Sequence, residues 1–277
     1  MFMKIRWLSR SLLTLAFASL AVWESELNQL VKRLWANLRE SWWFRLESFE
    51  PLVVVLFFSI FIFIFNFLDI FRFSWLKEFR IMPNRNPTKE VSTKHFFRWS
   101  AITKLVLYLS PIFAFDFFYP RRQLPVEIPS VLFLFWQIVA TLFIYDLFFT
   151  ASHIFLHSNK KAFSLIHAKH HRHSHIQAMD TINLTLIEAA TEVFFSICAI
   201  NIVGCHPLAR ILYNIVIVGL LVELHSGYDF PFNFSNVIPF NIVSGPREHY
   251  LHHLCGTKYF HKYFACLGHL SYFLQSV

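Results

Sequence analysis

A chain of 277 residues that is 56% hydrophobic, with 35 Phe and only 6 Gly, is too apolar and too poor in loop formers for an ordinary soluble domain. Its 25 Lys and Arg exceed its 17 Asp and Glu, but the basic residues lie between apolar runs, as in cytosolic loops of membrane proteins, which argues against a nucleic-acid partner. The four cysteines, Cys198, Cys205, Cys255 and Cys266, show no CxxC spacing, so neither a zinc ribbon nor a disulfide framework is expected.

Residues 1–23 begin with Lys4, Arg6 and Arg10 and continue into an apolar stretch, either a signal-type segment or a short first anchor. Residues 51–68 form an uncharged run of eighteen, long enough for a transmembrane helix. The next segment, 72–104, carries eight Lys and Arg against two Glu, so the positive-inside rule assigns it to the cytosol. Residues 105–119 are apolar apart from Pro111 and Asp116, and a proline is tolerated in a membrane helix whose freed carbonyl finds another donor. A short lumenal loop, 120–127, leads to a second run of eighteen at 128–145, which returns the chain to the cytosol. Residues 193–205 and 211–222, about a dozen each, are joined by the turn signal Gly204, Cys205, His206, Pro207. They form a hairpin that spans the bilayer or dips into it, and in both cases the chain comes back to its starting side. The expected fold is therefore all-α: a multi-pass transmembrane helical bundle with a di-metal histidine site at its cytosolic face.

The histidines carry that last expectation. His153 and His157 stand four apart at the end of a predicted helix, with both rings on one face. His167, His170 and His171 follow the pattern HxxHH, in which the adjacent pair diverges by about 100° and can serve two different metals. His249, His252 and His253 repeat it after the hairpin, and His225, at the hairpin's cytosolic end, is close enough to add a ninth ligand. A lone HxxxH is more often an incidental helix surface; three boxes on one side of a membrane are a far stronger signal. Imidazole suits iron, zinc, copper or nickel, so ligand type leaves the metal open. Asp146, two helical turns before His153, is either an interfacial aspartate or a hydrogen-bond partner of a ligand histidine. His173 and His175 are read as basic surface, His206 as a bilayer's width away, and His95, His261 and His269 as structural.

Boxes HxxxH, HxxHH and HxxHH in this order between membrane helices resemble the fatty acid hydroxylase and sterol desaturase superfamily over residues 140–264. The resemblance implies a non-haem di-iron membrane enzyme that activates O2, with two iron ions on the matching histidines. It also implies electrons from cytochrome b5 or a reductase, and an endoplasmic reticulum location. On that reading residues 1–104 are an anchor segment, a transmembrane helix and a basic cytosolic loop, and 105–277 the catalytic membrane region. Gly204-Cys205-His206-Pro207-Leu208 and the stretch from Val222 to Pro231 look most like the sterol side-chain hydroxylases of the cholesterol 25-hydroxylase type. The chain departs from the family pattern at Glu248 and Tyr250, which flank His249, and after His253 at Tyr259, Phe260, Leu267 and Gly268. Glu248 is expected beside the ligands.

The function expected is hydroxylation of a membrane lipid, most of all a sterol side chain. A desaturase, a C4-methyl oxidase or a fatty-acyl hydroxylase would use the same site, and a silent metal-binding scaffold is the reading from another class. Transport is disfavoured because the histidines sit at the membrane edge and not along a path through it. The formal sequons at Asn183 and Asn233 are expected to stay unmodified, because both are assigned to the cytosol.

Overall fold

The computed structural model describes residues 2–71, 73–82, 99–118, 124–172 and 176–268. Within them the longer elements are all helices: α1 (Phe2–Val22), α2 (Glu24–Glu40), α3 (Phe49–Phe71), α4 (Trp99–Phe118), α5 (Val131–Ser158), α6 (Leu186–Val203), α7 (Pro207–Leu224) and α8 (Pro246–Cys255). Among the described residues, strand-like pairing is limited to two isolated bridges, Arg80 with Tyr228 and Val243 with Phe264.

Four helices, α3, α5, α6 and α7, are long and apolar enough to cross a membrane. Their outward faces leave Leu56, Phe63, Phe133, Trp136 and Ile202 exposed, which suits hydrocarbon and not water. Inward, Phe58 and Ile62 of α3, Tyr145 of α5, Ile200 of α6 and Ile217 of α7 form one buried core. At Gly219 of α7 a Cβ would lie 3.2 Å from the Phe61 ring of α3, so glycine permits the close approach of these two helices.

The hairpin differs from the sequence expectation in length. Its two arms have 18 residues each, about 27 Å at 1.5 Å per residue, close to a full hydrocarbon core. Counting apolar residues shortened the first arm because Glu188 and Glu192 lie in its first two turns, where tertiary partners accommodate them. Gly204 ends α6 in the left-handed region at φ 67°, with the Cys205 N–H donating back to the Ile200 carbonyl. Pro207 then starts α7, whose Leu208 N–H donates to His206 Nδ1.

The apolar stretch after Arg10 belongs to one 21-residue helix, α1. Its Arg6 and Arg10 donate to the carbonyls of Asn236 and Val237, in the segment that follows α7. The chain then enters α2, which lies at the opposite end of the bundle, where Trp35 donates to the Pro125 carbonyl and Asn28 accepts from Val131 N–H.

Candidate metal centre

At 28 residues α5 is about 42 Å long, more than the ~30 Å hydrocarbon core requires, so its last turns project beyond it. Those turns carry His153 and His157, ring centroids 4.9 Å apart. Asn159 then caps a single turn by accepting from Lys161 and Ala162, and a π-helical turn, Phe163–His167, swings His167 back onto His153. Such turns recur at functional sites because the extra residue re-aims a side chain. The rings of His170 and His171 stand 82° apart and point to different neighbours.

His225 ends α7, and α8 supplies His249, His252 and His253. The nine histidines fall into two groups: His153, His157, His167, His171 and His252 in one, and His170, His225, His249 and His253 in the other. Within each group the ring nitrogens on offer lie within 4.8 Å of one another. The adjacent pairs His170/His171 and His252/His253 are both split between the groups.

Four of the outward ring nitrogens are anchored. Nδ1 of His153 donates to the Phe260 carbonyl at 2.7 Å, that of His252 to the Lys258 carbonyl at 2.7 Å, and that of His225 to the Leu221 carbonyl at 2.9 Å. Nδ1 of His167 bonds the Glu188 carboxylate at 2.5 Å. A carbonyl only accepts, so the proton sits on Nδ1 and the Nε2 lone pair faces inward. Burial is the largest cause lowering the pKa of His171 and His252 to about 3 and of His225 to about 4, and it holds His170, His249 and His253 well below 6.5. These six imidazoles are therefore neutral at physiological pH, the form that binds metal.

The Fatty acid hydroxylase family model matches residues 138–273, the stretch that contains all nine histidines. Cholesterol 25-hydroxylase of Homo sapiens is 30% identical over 241 residues, covering 84% of this chain and 86% of that protein. The chain belongs to the fatty acid hydroxylase family. Its other relatives include cholesterol 25-hydroxylase of Rattus norvegicus, 26% identical over 85% of this chain and 80% of that protein. A cholesterol 25-hydroxylase-like protein of Danio rerio, 1 member 2, is 28% identical over 87% of this chain and 89% of that protein. No solved structure matches the chain.

The two carboxylates that the sequence places near the ligands, Asp146 and Glu248, accept from backbone amides. Asp146, fully buried, accepts from the backbone N–H groups of Lys262, Tyr263 and Phe264 at 2.7–3.0 Å. It clamps the segment whose Phe260 carbonyl orients His153, and so acts on that ring only at one remove. Glu248 closes the first turn of α8 by accepting from Gly245 N–H, as a helix cap does. His206 packs edge-on against Trp35 at the start of α7, about 28 Å by helix rise from His225 at its end. His261 is buried against Ser244, whereas His95, His173, His175 and His269 lie outside the described residues.

Sequence reasoning missed Glu188 as the partner of His167 and Lys262 as a buried cation beneath the site. Lys262 Nζ pairs with Glu192 at 2.9 Å and lies 3.8 Å from the Phe149 ring centroid, and Phe149 packs on His153. The available signal was two carboxylates one turn apart at the head of an apolar helix, costly in a membrane unless partnered. The sequons also read differently in three dimensions. Asn183 is buried and donates to the Lys169 carbonyl, and Asn233 is buried as well, so neither can report on the side of the membrane. A cavity of about 350 Å³ lies between α3, α4, α5, α6 and α7, with Tyr145, Glu192 and Leu221 toward the histidines and Glu50 and Arg210 at the other end.

Proposed function

We propose that this protein is an O2-dependent di-iron monooxygenase of the endoplasmic reticulum membrane that hydroxylates a lipid, foremost the side chain of a sterol. The metal ligands are His153, His157, His167, His171 and His252 for one ion and His170, His225, His249 and His253 for the other. The observation that carries the reading is the His153–His167 pair. Both rings commit Nδ1 outward, to Phe260 and Glu188, yet their Nε2 atoms lie 3.0 Å apart. Two lone pairs at that distance repel unless a cation sits between them, and a donor set of imidazoles without thiolate fits a first-row transition metal. Family membership favours iron.

Iron bound there supplies O2 activation and cleavage of an unactivated C–H bond, chemistry that side chains lack. The overall change takes a lipid C–H, O2, two electrons and two protons to a lipid C–OH and water. The chain's own contribution is to keep the imidazoles neutral, fix their rings through the Phe260, Lys258 and Leu221 carbonyls, and exclude water with the packed ends of α5 and α7. No GxGxxG loop is present to hold a flavin or nicotinamide, so electrons come from a separate donor such as cytochrome b5 or a reductase. A cytosolic face for the site is supported by Arg80, at the start of the basic segment, which bridges to Tyr228 three residues after His225. Residues 105–277 form the catalytic region on this reading, with α1 to α3 as anchors, of which α3 also contributes to the shared core. The names of the human, rat and zebrafish relatives support a sterol as substrate.

Expression in membranes with labelled cholesterol and O2 tests this. The parent should yield a hydroxylated sterol and bind about two irons per chain, whereas a His170→Ala, His171→Ala double variant should yield none. Identical products from both proteins, or active protein without iron, would overturn the assignment, and a desaturated product would replace hydroxylase by desaturase.

A further inference from the structure

The cavity between α3 and α7 is apolar along most of its length, but its end remote from the histidines is polar. There Arg210, in the first turn of α7, donates through Nε and Nη2 to the Glu50 carboxylate of α3 at 2.7–3.2 Å. One turn further along, Asn214 lines the cavity at 9% exposure, and its side-chain amide has no hydrogen-bond partner among the described residues. Ile217, Val218 and Leu221 continue the same stripe, and the Leu221 carbonyl holds Nδ1 of His225. A single helix face thus runs from a buried, unpaired amide through an apolar wall to a metal-site histidine. The rise of an α-helix puts Asn214 ~16 Å from His225.

We infer that Asn214, backed by the Arg210–Glu50 pair, receives the ring hydroxyl of a sterol and so determines which side-chain carbon reaches the histidines. This rests on the hydroxylase reading above and adds the substrate's orientation to it. A hydroxyl both donates and accepts, as an amide does, so the pair is complementary. A carboxylate is not: Glu50 already neutralises Arg210 and would repel a free fatty acid. The distance suits a rigid ring system with its side chain extended, which fills an apolar wall of this length with few rotors to freeze.

The test is equilibrium binding of radiolabelled cholesterol, and of cholest-5-ene, which lacks the hydroxyl, to the purified full-length protein in detergent. The parent should prefer cholesterol by about tenfold, since a site built for a hydroxyl rejects the analogue without it. Asn214→Leu should lose that preference while binding cholest-5-ene as the parent does and keeping its full metal content. In turnover the variant should raise KM and spread the product over more than one side-chain carbon. Equal binding of the two lipids by the parent, a comparison that requires no substitution, overturns the inference, as does parental cholesterol affinity in Asn214→Leu. Hydroxyl-dependent binding with no oxidised product would leave the inference standing and sink the hydroxylase reading. Oxidation of cholesterol without hydroxyl preference would do the reverse.

Discussion

Replacing Glu188 by leucine should weaken metal binding by about 10- to 100-fold, the usual consequence of removing the group that holds a ligand histidine from behind. The structure supports this magnitude independently. His167 Nδ1 and Glu188 are 2.5 Å apart with side chains 2% and 6% exposed, so water cannot replace the lost acceptor. Without that acceptor the metal-free ring can carry its proton on Nε2, so binding must move it to an unpaired, buried Nδ1 at about 1–3 kcal/mol, and every 1.4 kcal/mol is tenfold in affinity. Glutamine retains an acceptor oxygen but not the charge, which roughly halves the bond, so Glu188→Gln should lose only about fivefold. Fold stability should respond differently. Glu188 Oε2 is buried without a partner, so the metal-free glutamine variant should melt no lower than its metal-free parent. Chelator competition on detergent-purified protein measures the affinities, and thermal unfolding measures the fold. A leucine variant that holds iron within about twofold of the parent would refute the argument that Glu188 tunes the site through His167.

Asp146→Ala should destabilise the protein by at least about 3 kcal/mol, since three buried N–H groups lose their acceptor, and unfolding in detergent should show it; a change under about 1 kcal/mol contradicts the clamp. The metal-free protein should lose stability in acid. His225 is held at about 4 and His171 and His252 at about 3, while the unfolded residues titrate near 6.5, so the unfolded chain binds more protons between these values. Stability should be full above about pH 6.5 and fall as pH drops toward 4, and a melting temperature flat from about pH 7.5 to about pH 5 would refute this. For orientation, a glycosylation tag inserted after the exposed Trp42, between α2 and α3, should be modified in microsomes, and one inserted after Lys160 should not; the opposite pattern reverses the topology.

The histidine spacing made the clustering readable in advance because four-residue and three-residue steps on helices fix which rings share a face, and hairpin parity fixes which end of the bundle they reach. All nine expected histidines lie in the two groups, with the adjacent pairs divided between them. What surrounds them was not readable, because hydrogen-bond partners are a property of packing and not of spacing. Glu188 stands 21 residues from His167 and Phe260 stands 107 from His153, separations at which no local pattern operates. The backbone partners of Asp146 and Glu248 were out of reach for the same reason. Each is near a histidine in sequence, but backbone amides of other segments satisfy it first. The hairpin arms were read short because a buried carboxylate looks like an end of an apolar run until its partner is known.

The carbonyl at Phe260 orients a ring that the ribosome makes long before it. His153 precedes Phe260 by 107 residues, so at roughly 5–20 residues per second it waits on the order of 5–20 s for its acceptor. During that interval α5, α6 and α7 can enter the bilayer, but the first histidine group has neither its ring orientation nor His252. The metal centre is therefore completed only after these helices, and a ribosome stalled before His249 would leave an inserted bundle with half-built coordination.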